Sequence, residues 1–166
     1  MTSVRDVATA DLPAIRAIYE REVLTRTATF ELDPPDVAEL ARRVEAVRAA
    51  GLPWLVAEID GAVAGYAYAG PYRARPAYRL TVENSVYVDD AFLRRGVARV
   101  LMDEVIRRCV EAGLREMVAV IGDSANAASI GLHAALGFRL VGTLTGVGHK
   151  HGRWLDTVIM QRPLAR

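Results

Sequence analysis

From residue 81 to 98 the chain reads TVENSVYVDDAFLRRGVA, an apolar strand interrupted by one acid and followed by a basic, glycine-containing turn. Side chains alternate along a strand, so Glu83, Ser85 and Tyr87 share one face and Val82, Asn84, Val86 and Val88 the other. A carboxylate in such a row can take a proton from an ammonium near neutral pH, and partial burial raises its pKa towards that task. The alternative is a carboxylate paired with an arginine on a solvated face. Arg94-Arg95-Gly96-Val97-Ala98 then opens a helix, whose unbonded N–H groups and dipole suit a phosphate. No Gly-Lys-Ser/Thr follows and Gly96 stands alone, so the loop is neither a P-loop nor the dinucleotide fingerprint. An ordinary strand–turn–helix connection with a surface arginine pair is the competing reading.

Upstream, Pro76 pushes Arg75 towards an extended conformation that lets Arg73 and Arg75 point the same way. Two guanidinium forks suit a carboxylate or another oxyanion, or else they are solvated surface groups. Downstream, His133 is an imidazole able to act as acid or base, or a helix histidine with a satisfied hydrogen bond. Asn126 stands at a helix start, as a cap or as a ligand contact. His149 and His151 flank Lys150 between Gly148 and Gly152, which reads as a mobile hairpin tip; with no third ligand evident, no metal is expected. Cys109 falls on an apolar helix face and reads as core.

The elements that must hold these groups follow from periodicity. A weak strand over 3–8 precedes a helix capped by Asp11 and carrying Leu12, Ile15, Ile18 and Tyr19. A second helix starts after Pro34-Pro35-Asp36 and stops at Gly51, and the Thr-rich 25–33 segment between the two, with Phe30, reads as a loop over a pocket. Strands at 54–59 and 62–69 meet at Asp60-Gly61, a strong hairpin signal. A strand over 80–88, a helix over 97–112 ended by Gly113, an apolar central strand over 117–121 and a helix over 127–136 closed by Gly137 come next. Two last strands, 139–145 and 154–160, flank a turn-rich loop. The alternation predicts an α/β layered fold on a mixed sheet, in a single domain over 1–166.

Composition narrows the function. The chain has 166 residues, 25% charged and 52% hydrophobic, with a net charge of +1, so no basic field argues for nucleic acid. A single cysteine makes no internal disulfide, and no apolar run reaches the ~20 residues of a membrane span. The N-terminus shows no signal-peptide pattern, and a reducing, cytoplasmic setting is expected.

These motifs resemble the GNAT acyltransferases, whose pyrophosphate signature is [Q/R]-x-x-G-x-[G/A]. Gly96 and Ala98 fit it, while Leu93 departs from the usual Gln or Arg. Asn126 with Leu132-His133-Ala134-Ala135-Leu136-Gly137-Phe138 is similar to the second signature, N-x-x-A-x-x-L-Y-x-x-x-G-F. AGPYRARPAY at 69–78, TVENSVYV at 81–88, VAVIG at 118–122 and GHKHGRWLD at 148–156 resemble the phosphinothricin and methionine sulfoximine acetyltransferase family. The resemblance implies a mixed, mostly antiparallel sheet of about seven strands flanked by four helices. It implies acetyl-CoA as co-substrate and Glu83 as the base, with His133 moving a proton at the thiol or the amine. Arg94, Arg95, Gly96, Val97 and Ala98 would hold the coenzyme phosphates, and Val86, Tyr87, Val88, Asn126 and Ser129 its pantetheine arm. Phe30, Arg73, Arg75 and Tyr78 would form the site of a small amino-acid-like acceptor, and a homodimer is implied. Competing expectations are an acetyltransferase for another amine, such as a protein N-terminus, and a non-catalytic acyl-CoA sensor.

Overall fold

The structure is a computed structural model that describes residues 1–164. Seven strands form one sheet in the order β1-β2-β3-β4-β5-β7-β6. They are β1 (Thr2–Asp6), β2 (Trp54–Ile59), β3 (Ala62–Pro71), β4 (Thr81–Val88), β5 (Glu116–Gly122), β6 (Arg139–Lys150) and β7 (Arg153–Pro163). Four helices, α1 (Leu12–Thr25), α2 (Val37–Ala49), α3 (Val97–Glu111) and α4 (Ala127–Ala135), cover its faces. Every neighbouring pair is antiparallel except β4 and β5.

Two apolar clusters sit on opposite sides of the sheet. Ile15, Ile18, Leu40 and Val44 of α1 and α2 pack on Trp54, Val56 and Tyr66. Leu101, Met102, Val105 and Cys109 of α3 pack on Leu55, Ala57, Ala67 and Ala69. Alternate residues of β2 therefore enter different clusters, the pattern of a strand buried on both faces. Each fully buried Leu or Ile contributes about 1.5–3 kcal/mol, so both layers are needed to hold the sheet between them.

Local signals place most boundaries. Asp36 caps α2 by accepting from the Glu39 N–H at 2.7 Å, and Asp60-Gly61 turns with positive φ at both residues (51° and 80°). Asp11 differs from expectation: its carboxylate accepts from Ala8 N–H and from Arg5, and a 3-10 turn (Thr9–Asp11) leads into α1. The turn-rich loop expected after 145 is largely strand, since β6 continues to Lys150 and only 151–152 turn. Glycine propensity gave way there to pairing of Gly148, His149 and Lys150 with Leu155, Trp154 and Arg153. Cys109 is wholly buried and its thiol is pushed up to about 12 by desolvation, which keeps it an unreactive core residue.

Candidate active site

The site begins as a fork in the middle of the sheet. β4 and β5 run parallel through only three rungs, Thr81 with Glu116, Val82 with Met117 and Glu83 with Val118. Beyond Glu83 the strands diverge, while β4 stays paired to β3 as far as Val88 with Gly65. Asp89 N–H bonds Ala64 O in the same register, so alternation turns the N–H groups of Val86 and Val88 towards the open edge and that of Tyr87 towards β3. The opening is lined from both sides by Asn84, Tyr87, Val120 and Gly122, and joins a hollow near α4 to a larger one under α1. At its far end α3 starts on Gly96, which takes φ 77° and caps without a side chain. The first intrahelical bond there is Val100 N to Gly96 O, which leaves the three preceding N–H groups pointing outward.

The hollow under α1 has a volume of about 270 Å³ and is lined by Tyr19, Phe30, Tyr68, Glu83, Ser85 and Thr157, among others. Glu83 is half-buried, and desolvation raises its pKa, against a smaller opposing pull from the Arg73 charge. A roof over this hollow is formed by the segment after α1. Thr29 Oγ1 meets Tyr19 Oη at 2.8 Å, Tyr19 Oη donates to Glu31 at 2.7 Å, and Arg43 donates to Glu31 at 2.6 Å. From below, Lys150 Nζ donates to Thr29 O at 2.7 Å. Phe30 lies against two glycines; a Cβ on Gly148 would stand 2.3 Å from its ring, and one on Gly122 would stand 2.6 Å from Thr27 O.

On the other face, His133 of α4 is 3% exposed and burial lowers its pKa. Its Nδ1 lies 2.7 Å from Ser129 O and its Nε2 lies 2.9 Å from Asn84 Nδ2. Asn126 caps α4 by accepting from Ser129 N–H at 3.2 Å.

A fork of this kind offers one extended ligand two unpaired strand edges and an anion-attracting helix end. Comparison with known proteins decides what that ligand is. Residues 4–159 match the acetyltransferase (GNAT) domain model. The chain belongs to the GNAT acetyltransferase family. It is 54% identical to the phosphinothricin N-acetyltransferase of Alcaligenes faecalis, over 98% of this chain and 82% of that protein. It is 45% identical to the L-methionine sulfoximine/L-methionine sulfone acetyltransferase of Pseudomonas paraeruginosa, over 96% of this chain and 92% of that one. The crystal structure of a GNAT phosphinothricin acetyltransferase from Sinorhizobium meliloti in complex with acetyl-CoA superposes with a TM-score of 0.96 at 47% identity, covering 99% of this chain and 89% of that one. The protein is thus an acetyl-CoA-dependent N-acetyltransferase.

The open edge of the fork could hold a strand-like ligand arm, and the N–H groups at the α3 N-terminus an anion. Of the residues singled out in the sequence, Glu83 and Phe30 line the hollow under α1, and Val86, Asn126, Ser129 and His133 line the hollow near α4. Glu83 and His133 therefore stand on opposite faces of β4. Tyr87 is beside Tyr19, ring centroids 5.3 Å apart, so it supplies a wall of the hollow and no backbone donor to the fork. Arg94 and Arg95 are exposed beside Gly96, with Arg95 over the Phe92 ring. Arg73, Arg75 and Tyr78 are exposed on the segment around a 3-10 turn (Pro76–Tyr78), outside the lining of the hollow; Arg73 is close enough to act on Glu83 by its charge.

Lys150 corrects the reading of a mobile tip. It is 2% exposed and its Nζ reaches the roof backbone. Sequence reasoning gave Lys150, Tyr19, Thr29 and Asn84 no role in the site, although Asn84 stood out as a lone amide on the apolar face of the 81–88 strand.

Proposed function

We propose that this enzyme acetylates the α-amino group of a small amino-acid analogue of the phosphinothricin, methionine sulfoximine or methionine sulfone class, with Glu83 as general base. The observation that carries the reading is the placement of the Glu83 carboxylate, half-buried at the last β4–β5 rung and facing a hollow of about 270 Å³. That volume suits a single amino acid, and is small for a peptide or an aminoglycoside. Arg73, beside the hollow, favours an anionic or zwitterionic acceptor.

Acetyl-CoA supplies the activated acyl carbon. Val86 and Val88 hold its arm as an added strand, and N–H groups at the open edge polarise the carbonyl. The acceptor nitrogen must be neutral to attack, and Glu83 takes its proton directly or through water. The new N–C bond forms as the C–S bond breaks, the electron pair leaves on sulfur, and the proton the acylated nitrogen sheds goes to that thiolate to give the free thiol. Because burial raises the Glu83 pKa, the carboxylate is a stronger base than one in water. Leu140, Val141, Leu144, Val147 and Trp154 expose apolar surface along β6 and β7, which supports a homodimer with this face covered by a second copy. The lone buried cysteine and the acetyl-CoA requirement support a cytoplasmic setting.

The test is thiol release from acetyl-CoA with phosphinothricin, methionine sulfoximine, methionine sulfone, spermidine, kanamycin and an Ala-initiated peptide. Turnover with the first three, reduced about 10²–10⁴-fold in kcat by Glu83→Gln, is the expected outcome. Turnover only with the peptide or an amine-rich acceptor refutes the substrate class; a fully active Glu83→Gln refutes the base.

A further inference from the structure

Asn84 is a buried polar side chain that the proposed reaction does not use. It follows Glu83 in β4, faces α3 and α4, and is 7% exposed. Its Nδ2 lies 2.9 Å from His133 Nε2 and 3.7 Å from Met102 Sδ, whereas its Oδ1 has no hydrogen-bond partner. A buried carbonyl without a donor is rare in a folded protein and calls for a partner, which a ligand at the site can supply.

The orientation of this amide follows from its neighbours. Ser129 O can only accept, so at 2.7 Å His133 Nδ1 must carry a proton. Ser129 Oγ, at 3.4 Å from the same nitrogen, leaves that assignment unchanged. In a neutral ring Nε2 then holds a lone pair and requires a donor. Turning the Asn84 amide over would set its Oδ1 against that lone pair. With the ring neutral, as burial favours, three groups on two elements fix one outcome: the amide donates to the ring and its carbonyl stays buried and unpartnered, on a residue that lines both hollows of the fork.

What the carbonyl needs is a donor on the α4 side of the fork. The thioester carbonyl and sulfur of acetyl-CoA only accept, so the donor nearest its reacting end is the amide N–H two carbons from sulfur. An amine acceptor also has N–H groups, but it approaches on the Glu83 face. We infer that Asn84 Oδ1 accepts this amide N–H and registers the thioester along β4, and that His133 is a positioning residue holding the Asn84 amide in place. The inference rests on the arm occupying the fork.

The experiment compares calorimetric affinity for acetyl-CoA with that for an analogue carrying an ester oxygen in place of that N–H. Wild type should bind the analogue about tenfold more weakly, the effect of one lost hydrogen bond. Asn84→Ala, verified as folded by its thermal transition, should bind the two within about twofold; other effects of the ester cancel in this cycle. His133→Leu should lose most of the discrimination, and His133→Gln, whose carbonyl can accept from Asn84, should restore it. By ¹⁵N NMR the His133 ring should be the neutral Nδ1–H tautomer at neutral pH. Equal discrimination in wild type and Asn84→Ala, none in wild type, or an Nε2–H ring at neutral pH would overturn the inference. Failure of wild type to bind acetyl-CoA at all would strike the underlying reading of the fork.

Discussion

Gly148→Ala is a change of one methyl group whose effect can be worked out from the roof. The added Cβ would stand 2.3, 2.6 and 2.9 Å from Cε2, Cδ2 and Cζ of Phe30, where ordinary contact begins at 3.4 Å. The ring must therefore give by about 0.7 Å to leave the range real contacts avoid, and by about 1.1 Å to reach ordinary contact. Gly148 is not among the residues with positive φ, so alanine strains no torsion and the whole effect is steric. Gly122 lies against the same ring, with Cε1 3.0 Å from the site of its own Cβ, so the free direction is into the hollow that holds Glu83. Overpacking of this size costs about 1–3 kcal/mol in stability. A misplacement of about 1 Å at a reacting centre can cost up to ~10²-fold. Steady-state kinetics with each substrate varied should show acceptor kcat/KM down about 10–100-fold and the acetyl-CoA dissociation constant unchanged. Phe30→Leu in the same chain should recover part of the loss. A Gly148→Ala enzyme with wild-type acceptor kinetics would show that the ring does not shape the pocket.

Arg73 counters the desolvation that raises the Glu83 pKa, so Arg73→Gln should raise it further and move the acid limb of the kcat/KM profile to higher pH; an unmoved limb refutes the coupling. Lys150→Met removes the donor to Thr29 O, and amide exchange across residues 26–31 should quicken about tenfold while acetyl-CoA affinity holds. Glu104, beside Arg107 and Arg108, is held down to about 2 from an ordinary 4.5. A carboxylate depressed in the folded state stabilises above its unfolded pKa, so this contribution is present above about 4.5 and fades as pH falls towards 2. Urea unfolding of Glu104→Gln should show a deficit of up to about 1 kcal/mol at pH 7 that disappears near pH 2. If the proposed homodimer forms through the β6–β7 face, wild type should sediment as a dimer and Trp154→Asp, which alters a side chain 72% exposed there, as a monomer.

Much of this architecture is written in local patterns. Asp36 and the Asp60-Gly61 step name their own positions, because a cap and a type of turn are decided within four residues. The alternation that isolates Glu83, Ser85 and Tyr87 also holds, because period two is intrinsic to a strand. Relations between distant elements are not legible in that way. Nothing between positions 83 and 133 says that the two side chains fall on opposite faces of one strand. Lys150 looks solvent-seeking until the roof segment supplies a carbonyl for its ammonium. The strand through Gly146 and Gly148 was hidden because glycine weakens strand propensity, and the space its missing side chain leaves for Phe30 is a tertiary fact. Asp11 resembled a cap until Arg5, from another element, claimed it.

The fork between β4 and β5 also bears on how the protein survives in solution. Unpaired strand edges are templates for unwanted pairing, and proteins normally blunt or hide them. Here two such edges lie at the centre of the sheet, flanked by helices, in a slot that admits one extended chain. Whatever fills the slot closes the sheet, so under the proposed binding of the pantetheine arm there the co-substrate would act as a removable eighth strand as well as a reagent. Mass action then ties conformational stability to metabolic state: at a hundredfold excess over its dissociation constant, acetyl-CoA would add about 2.7 kcal/mol. A cell short of acetyl-CoA would hold an enzyme that is both idle and closer to aggregation.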